Sequence, residues 1–313
     1  MRTGSSMATD GVPALPELLG HEEARAELRS LQTTRPLLFT GPEGVGRRPL
    51  ARWYAAWLNC SADGPEPCGQ CRSCLMFHSG HPDLLEVAPA AVTGSGRLNR
   101  RPEIRIGQLV RREGADAEPL GEWLERRPLF TWRVGVIDSA DRLTPAAANS
   151  FLKTLEEPPS WARLILIAPS VQSLLPTIAS RLVPVRLGTV EPPAGPVPGH
   201  PARRLGTPGP LLEAAREPAR WEETAAAVSA FLESMTSELR ESFAAAALLE
   251  KTWLGPDGAA AVQLLRSELL ERLPAGTSAV ALDAVERCEE QLAAYVNATV
   301  ALQLLALELR RLY

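Results

Sequence analysis

Several absences narrow the possibilities before any motif is considered. No apolar run in the 313 residues approaches the length of a membrane span, and the stretch from Met1 to Asp10 carries no apolar signal core, so the expectation is a cytoplasmic protein with no membrane partner. Excess basic charge is lacking too. Lys and Arg number 33 against 37 Asp and Glu, a net charge of −4, which excludes a blanket nucleic-acid binder while leaving room for a local basic face. Aromatic residues are sparse, and no function is read from that. Cysteine is scarce, yet four of the five lie within fifteen residues, a clustering that in a reducing compartment points to metal rather than to disulfides. The length suits about two domains with ample core.

The most informative absence lies inside a motif. After the apolar run Pro36 to Thr40 comes Gly41-Pro42-Glu43-Gly44-Val45-Gly46-Arg47-Arg48, and an amphipathic helix follows. In a working phosphate loop the glycines let backbone N–H groups wrap the phosphates, a Lys reaches the β- and γ-phosphates, and a Ser or Thr hydroxyl holds Mg²⁺. Here Gly41, Gly44 and Gly46 remain, Arg47 stands where the Lys belongs, and Arg48 stands where the hydroxyl belongs. Arg47 keeps the charge in a different shape. Arg48 has no lone pair to offer a metal. Alone, the octapeptide also fits a glycine-rich turn after any strand.

Along the chain, residues 19–31 read as a helix leading into a strand at 37–40. The helix after the loop carries Leu50, Trp53, Tyr54 and Trp57 on one face, a core stripe. Cys60, Cys68, Cys71 and Cys74 follow, with Gly64, Pro65, Pro67 and Gly69 forcing turns between them. Four thiolates at this spacing can close a tetrahedral structural Zn²⁺ site, with an iron–sulfur cluster or unliganded thiols as alternatives. His78 and His81 read as turn or surface residues, and Cys288 as a lone, partly buried thiol. A short strand at 82–87, an exposed loop at 88–101, and a helix opening at 104–112 come next; Arg105, Arg111 and Arg112 read as a solvated face. Residues 133–138 form a strand ending on Asp138, the place of a carboxylate that steadies Mg²⁺. Ser139 follows where a Glu would polarise the attacking water. A helix at 145–155, broken by Pro158 and Pro159, a buried strand at 164–168, a helix at 174–179 and a strand at 182–187 complete an alternating α/β pattern, which implies a parallel sheet covered on both faces. A proline-rich stretch closes that domain, and everything beyond reads as helix, ending in one long, widely apolar helix from about 279 to 312.

At this point the residues resemble a family, the delta-prime subunit of the bacterial DNA polymerase III clamp loader. The resemblance rests on the cysteine cluster, on Ala148 to Pro159, and on Leu174 to Arg181, and it is specific over about residues 19–187. It implies an AAA+ module over residues 11–187 with a zinc module inserted at 60–74, a linker or reduced lid at 188–217, and an all-α collar at 218–313 through which subunits assemble. It implies gamma/tau and delta subunits as partners, with the sliding clamp and primed DNA reached through the assembled complex. Ser180 and Arg181 match the family's Ser-Arg-Cys motif, whose Arg reaches in trans to the γ-phosphate held by the neighbouring subunit; Leu182 replaces the Cys. The polar sensor expected after the 164–167 strand falls on Ala168 and Pro169. Lys153, Glu156 and Glu157 are assigned to helix termination and subunit contact. The expectation is therefore a stator that hydrolyses nothing, with nucleotide absent or bound without turnover. An ATP-hydrolysing gamma/tau-type subunit is the first alternative, disfavoured by Arg47, Arg48, Ser139 and Ala168. A zinc-dependent nucleic-acid binder is the second, disfavoured because only Arg72 and Phe77 flank the cysteines.

Overall fold

In the computed structural model the described residues are 18, 20–31, 33–77, 80–89, 102–111, 118–188, 207, 209–210, 212, 217–255, 258–294 and 296–313. The chain divides into two compact units, one over residues 1–90 and 103–188, the other including 189–313.

The first unit is built on strands β1 (Leu37–Thr40), β2 (Leu84–Val87), β3 (Arg133–Ile137), β4 (Ala162–Ala168) and β5 (Val183–Arg186). Together they form one sheet in the order β2-β3-β4-β1-β5, and every pair is parallel. The α/β architecture is the expected one, and its cause is visible in the sequence. Leu37 to Phe39, Val134 to Ile137 and Leu164 to Ile167 are continuous apolar runs, because both faces of the sheet are covered. One face packs on α1 (Glu22–Ser30) and α2 (Arg47–Asn59), through Leu28, Phe39, Leu50, Trp53, Ile165 and Val185. The other packs on α4 (Ile106–Leu109), α5 (Leu120–Glu125) and α6 (Pro145–Glu156), through Leu38, Leu109, Leu124, Phe151 and Leu166. The short α3 (Arg72–Met76) follows the cysteines, and α7 (Pro176–Ala179) precedes β5. Thr144 caps α6 by accepting from the Ala147 N–H, and Pro145 sits in its first turn. The helix expected over 104–112 is shorter, ending at Leu109, and α5 was not foreseen.

The second unit is helical: α8 (Pro218–Glu233), α9 (Leu239–Trp253), α10 (Gly258–Arg272), α11 (Ala275–Ala293) and α12 (Ala298–Leu309). Phe231, Leu249, Leu265, Val285, Leu302 and Leu305 lie in its core. The single last helix expected from 279 to 312 is in fact two. Asn297 breaks it, because its side chain accepts from the Val300 N–H and so caps a new start. Cys288 is buried, and burial pushes its thiol up to about 12. The expected 88–101 loop from residue 90 onward, and most of the proline-rich stretch after residue 188, lie outside the described residues. Among the described residues no helix is long and apolar enough to cross a membrane.

Candidate functional site

The glycine loop leaves the C-terminal end of β1, where ligands of open parallel sheets bind. Gly41, Gly44 and Gly46 have φ of 152°, 73° and 106°, all in the region that favours glycine. At Gly41 a Cβ would stand 2.6 Å from the Leu187 carbonyl, so the turn also needs its bareness. The Gly41 N–H donates to the Pro169 carbonyl at 3.2 Å, so the segment where a polar sensor was sought meets the loop with backbone instead. Val45 points into the core, and its carbonyl lies 2.7 Å from His21 Nε2. A depression of about 320 Å³ opens beside the loop between Thr40, Gly41, Pro169, Ser170 and Arg186.

The two arginines have separate environments. Arg47 is half-buried at the start of α2, and desolvation lowers its pKa although Asp138, Glu43 and Asp141 raise it. Asp138 follows β3, its N–H bonded to the Val87 carbonyl at 2.8 Å, at the same end of the sheet as the glycine loop and near enough for its charge to act on Arg47. Arg48 turns away to Glu86 on β2 at 2.7 Å. Arg52, one helical turn on, forks onto the same carboxylate at 2.8 and 2.6 Å. Burial raises the Glu86 pKa, but the two guanidiniums outweigh it and hold the carboxyl below its usual range. Sequence reasoning missed Glu86 and Arg52. The spacing of Arg48 and Arg52 by one turn was the available signal, but nothing pointed it at β2.

Ser180 and Arg181 lie at the other end of the sheet. Their backbone is held by Arg35, whose guanidinium donates to the carbonyls of Ser180 at 2.9 Å and of Arg181 and Leu182 at 3.3 Å. Because Leu37 pairs with Val183 and Thr40 with Arg186, the two motifs face opposite ends of β1 and β5. Arg181 and Leu187 are six positions apart, with the four residues of β5 between them, about 20 Å at an extended rise. Arg181 is therefore out of reach of this chain's own loop. Its guanidinium binds Thr177 O at 2.6 Å and forms an ion pair with Glu156, Nε to carboxylate 2.7 Å. Ser180 Oγ donates to the Thr177 carbonyl at 3.3 Å.

The sulfurs of Cys60, Cys68, Cys71 and Cys74 lie within 4.8 Å of one another, and no disulfide joins them. A tetrahedral Zn–S shell needs sulfurs about 3.8 Å apart, from bonds of ~2.3 Å, so the donor set fits the metal. Backbone N–H groups already point at the sulfurs, Cys68 N to Cys60 Sγ and Cys71 N to Cys68 Sγ, both at 3.3 Å. For Cys71 burial opposes ionisation, but hydrogen bonds from Ser61 and Cys74 prevail and bring the thiol down to about 6. The loop is docked by Glu66, which accepts from Trp53 Nε1 at 2.6 Å and from Arg25 at 2.9 Å. Trp57 Nε1 adds a bond to the Gly64 carbonyl at 2.9 Å.

His81 corrects the expectation of a surface histidine. It is buried between Phe77 and Phe130, with Ser73 Oγ 3.0 Å from Nε2, and its Nδ1 accepts from the Asp83 N–H at 3.1 Å. That bond leaves the proton on Nε2, so His81 donates to Ser73 and is no base for it. The Asp83 carboxylate is spent on the N–H groups of Leu129 and Phe130, at 2.9 and 2.8 Å. The trio is structural.

Residues 21–191, more than half of the chain, match the family model described as DNA polymerase III, delta subunit. The delta' subunit of DNA polymerase III from Haemophilus influenzae is 37% identical over 147 residues, covering 46% of this chain and 40% of that protein. The delta' subunit from Pseudomonas aeruginosa is 31% identical over 182 residues, covering 56% and 51%. The DNA polymerase III subunit gamma/tau of Mycobacterium tuberculosis is 32% identical over 171 residues, covering 53% and 27%. The chain spans about half, or less, of the length of the curated relatives it matches. The matched region takes in the parallel sheet, its glycine loop, the cysteine cluster and the Ser180-Arg181 pair, and on that ground this chain belongs to the DNA polymerase III delta-subunit family.

Proposed function

We propose that this chain is a clamp-loader subunit of the delta-prime kind, which hydrolyses no ATP and presents Arg181 to nucleotide held by a neighbouring gamma/tau-type subunit. With a delta subunit in the same complex, it would help to open the sliding clamp and set it on primed DNA. The observation that carries this reading is the engagement of Arg48. The position that must ligate Mg²⁺ in an ATPase carries a guanidinium bonded to Glu86 at 2.7 Å. Any nucleotide at Gly41, Gly44, Gly46 and Arg47 would bind without a complete metal site. The separation of Arg181 from its own loop supports action in trans. Docking would exchange Glu156 for phosphate, and a pair this exposed is worth only about 0.2–1 kcal/mol, so the exchange is undemanding.

The rest of the proposal follows the same family logic. The four cysteines hold a structural Zn²⁺ that closes the 60–74 loop, residues 11–187 form the AAA+ module, 188–217 a reduced lid, and 218–313 a collar for assembly. The test is nucleotide binding and phosphate release by the purified chain, with Arg181→Ala placed in a reconstituted loader. The expected result is no turnover by the chain alone, and a fall of about 10³-fold at the adjoining site in the variant. Turnover by the isolated chain would replace this reading with the gamma/tau-type ATPase.

A further inference from the structure

A cavity of about 390 Å³ opens in the first unit at the end of the sheet opposite the glycine loop. It lies beside residues 33–34, which lead into β1, and Arg163, near the start of β4; Tyr54 and Trp57 of α2 form a wall. Two polar groups on its lining, Tyr54 and Arg163, open to the cavity. Tyr54 as a whole is only 4% exposed, and its hydroxyl, which is not among the enclosed side-chain atoms that lack a partner, opens to the cavity. Arg163 is half-buried, and among the described residues no carboxylate answers its charge. One guanidinium face lies on the Trp132 ring, 3.6 Å from the centroid, and Nη1 donates to the Ala162 carbonyl at 3.0 Å. The remaining N–H groups have no acceptor among the described residues. Burial lowers the Arg163 pKa and raises that of Tyr54, and each acts on the other's charge, which places them close together. A hydroxyl and a partly desolvated guanidinium that open side by side to one cavity offer converging donors to a single acceptor group placed between them.

The remaining walls describe what carries that acceptor. Leu28, Leu31, Leu58 and the Trp57 ring are apolar, and the Tyr54 and Trp57 rings stack at 6.0 Å. Arg29 also borders the cavity, but its charge is partly answered by Glu66 at 3.7 Å, so Arg163 is the principal cation. We propose that this cavity binds an organic anion, a carboxylate or phosphate on an apolar or aromatic body, with its oxygens on Arg163 and Tyr54 and its body against Trp57 and Leu31. The site is separate from the glycine loop and independent of the clamp-loader reading.

The test is calorimetric titration of the full chain with benzoate, phenyl phosphate and neutral benzyl alcohol, repeated on Tyr54→Phe, Arg163→Gln and, as a control for the glycine loop, Arg47→Ala. Either anion is expected to bind and the alcohol not. Affinity should fall about tenfold or more in Tyr54→Phe and Arg163→Gln and stay unchanged in Arg47→Ala. Preference for phenyl phosphate would mark a phosphate-bearing natural ligand, and preference for benzoate a carboxylate one. Tyr54→Phe removes a single oxygen, so it keeps the test valid if Arg163→Gln unfolds. No binding of either anion at millimolar concentration, equal binding of the alcohol, or affinity insensitive to Tyr54→Phe would overturn the proposal.

Discussion

At the scale of single residues, buried His81 and half-buried Glu86 each make stability depend on pH. His81 is held neutral: burial lowers its pKa below 6.5, against a smaller raising effect of Asp83. A depressed histidine binds its proton more readily when unfolded, so stability is full above 6.5 and is lost as pH falls below that value. Glu86 is depressed as well, below 4.5, so its contribution is full above 4.5 and disappears only at lower pH. The two windows are separable. In urea unfolding measured across pH, His81→Asn should flatten the slope just below 6.5, while Glu86→Gln should leave that slope intact and flatten the more acidic one. Glu86→Gln should also lower stability by about 1–2 kcal/mol at neutral pH, because Arg48 and Arg52 lose the charge they share and one of its two acceptor oxygens but remain exposed enough to hydrate. A slope below pH 6.5 unchanged by His81→Asn would remove His81 from the account.

At the scale of elements, the junctions hold polar groups that no periodic pattern announces. Asn59 ends α2 fully inside the protein and braces the entry to β3. Its Oδ1 accepts from the N–H groups of Thr131 and Trp132 at 3.0 and 2.8 Å, and its Nδ2 donates to the carbonyls of Ala55 and Trp132. Asn59→Ala would strand these groups, and the expected loss is about 2–3 kcal/mol in chemical denaturation. Gly41→Ala meets the Leu187 carbonyl at 2.6 Å and should destabilise by about 1–3 kcal/mol while shifting the loop. These cases show where the sequence was legible. The strands were readable because burial on both faces leaves uninterrupted apolar runs, and the helix of α6 because Thr144, Pro145 and the terminal prolines mark its ends. The glycine loop and the four cysteines declared themselves by spacing. The break at Asn297 did not, since an asparagine inside a helical pattern looks like any solvated position until its side chain is seen capping Val300. Glu86, Arg35 and Glu66 were equally silent, because each acts on a segment distant in sequence.

At the scale of the molecule, the cysteine loop bears differently on folding from the sheet. The first unit's two apolar clusters draw on Leu38, Phe39, Val136, Leu166 and Phe151, and the residues flanking the four cysteines that pack against either, Trp57, Leu58 and Phe77, lie outside the 60–74 loop. The loop itself has few apolar residues to bury. Its shape depends on Glu66, on the Trp57 bond to Gly64, and on whatever holds four sulfurs within 4.8 Å. Thiols left unliganded would repel as they ionised, whereas a Zn²⁺ would neutralise them and convert metal affinity into local folding energy. Metal removal should therefore melt the loop and not the sheet. The purified chain is expected to carry one zinc per molecule by elemental analysis, and Cys71→Ser to carry none. A chelator should release the metal, expose the four thiols to a colorimetric reagent, and change the fluorescence of Trp53 and Trp57, which contact the loop, while far-ultraviolet circular dichroism holds nearly constant. Collapse of the helical and sheet signal on chelation would mean that the metal nucleates the entire first unit, and the loop would then have to be regarded as part of its core.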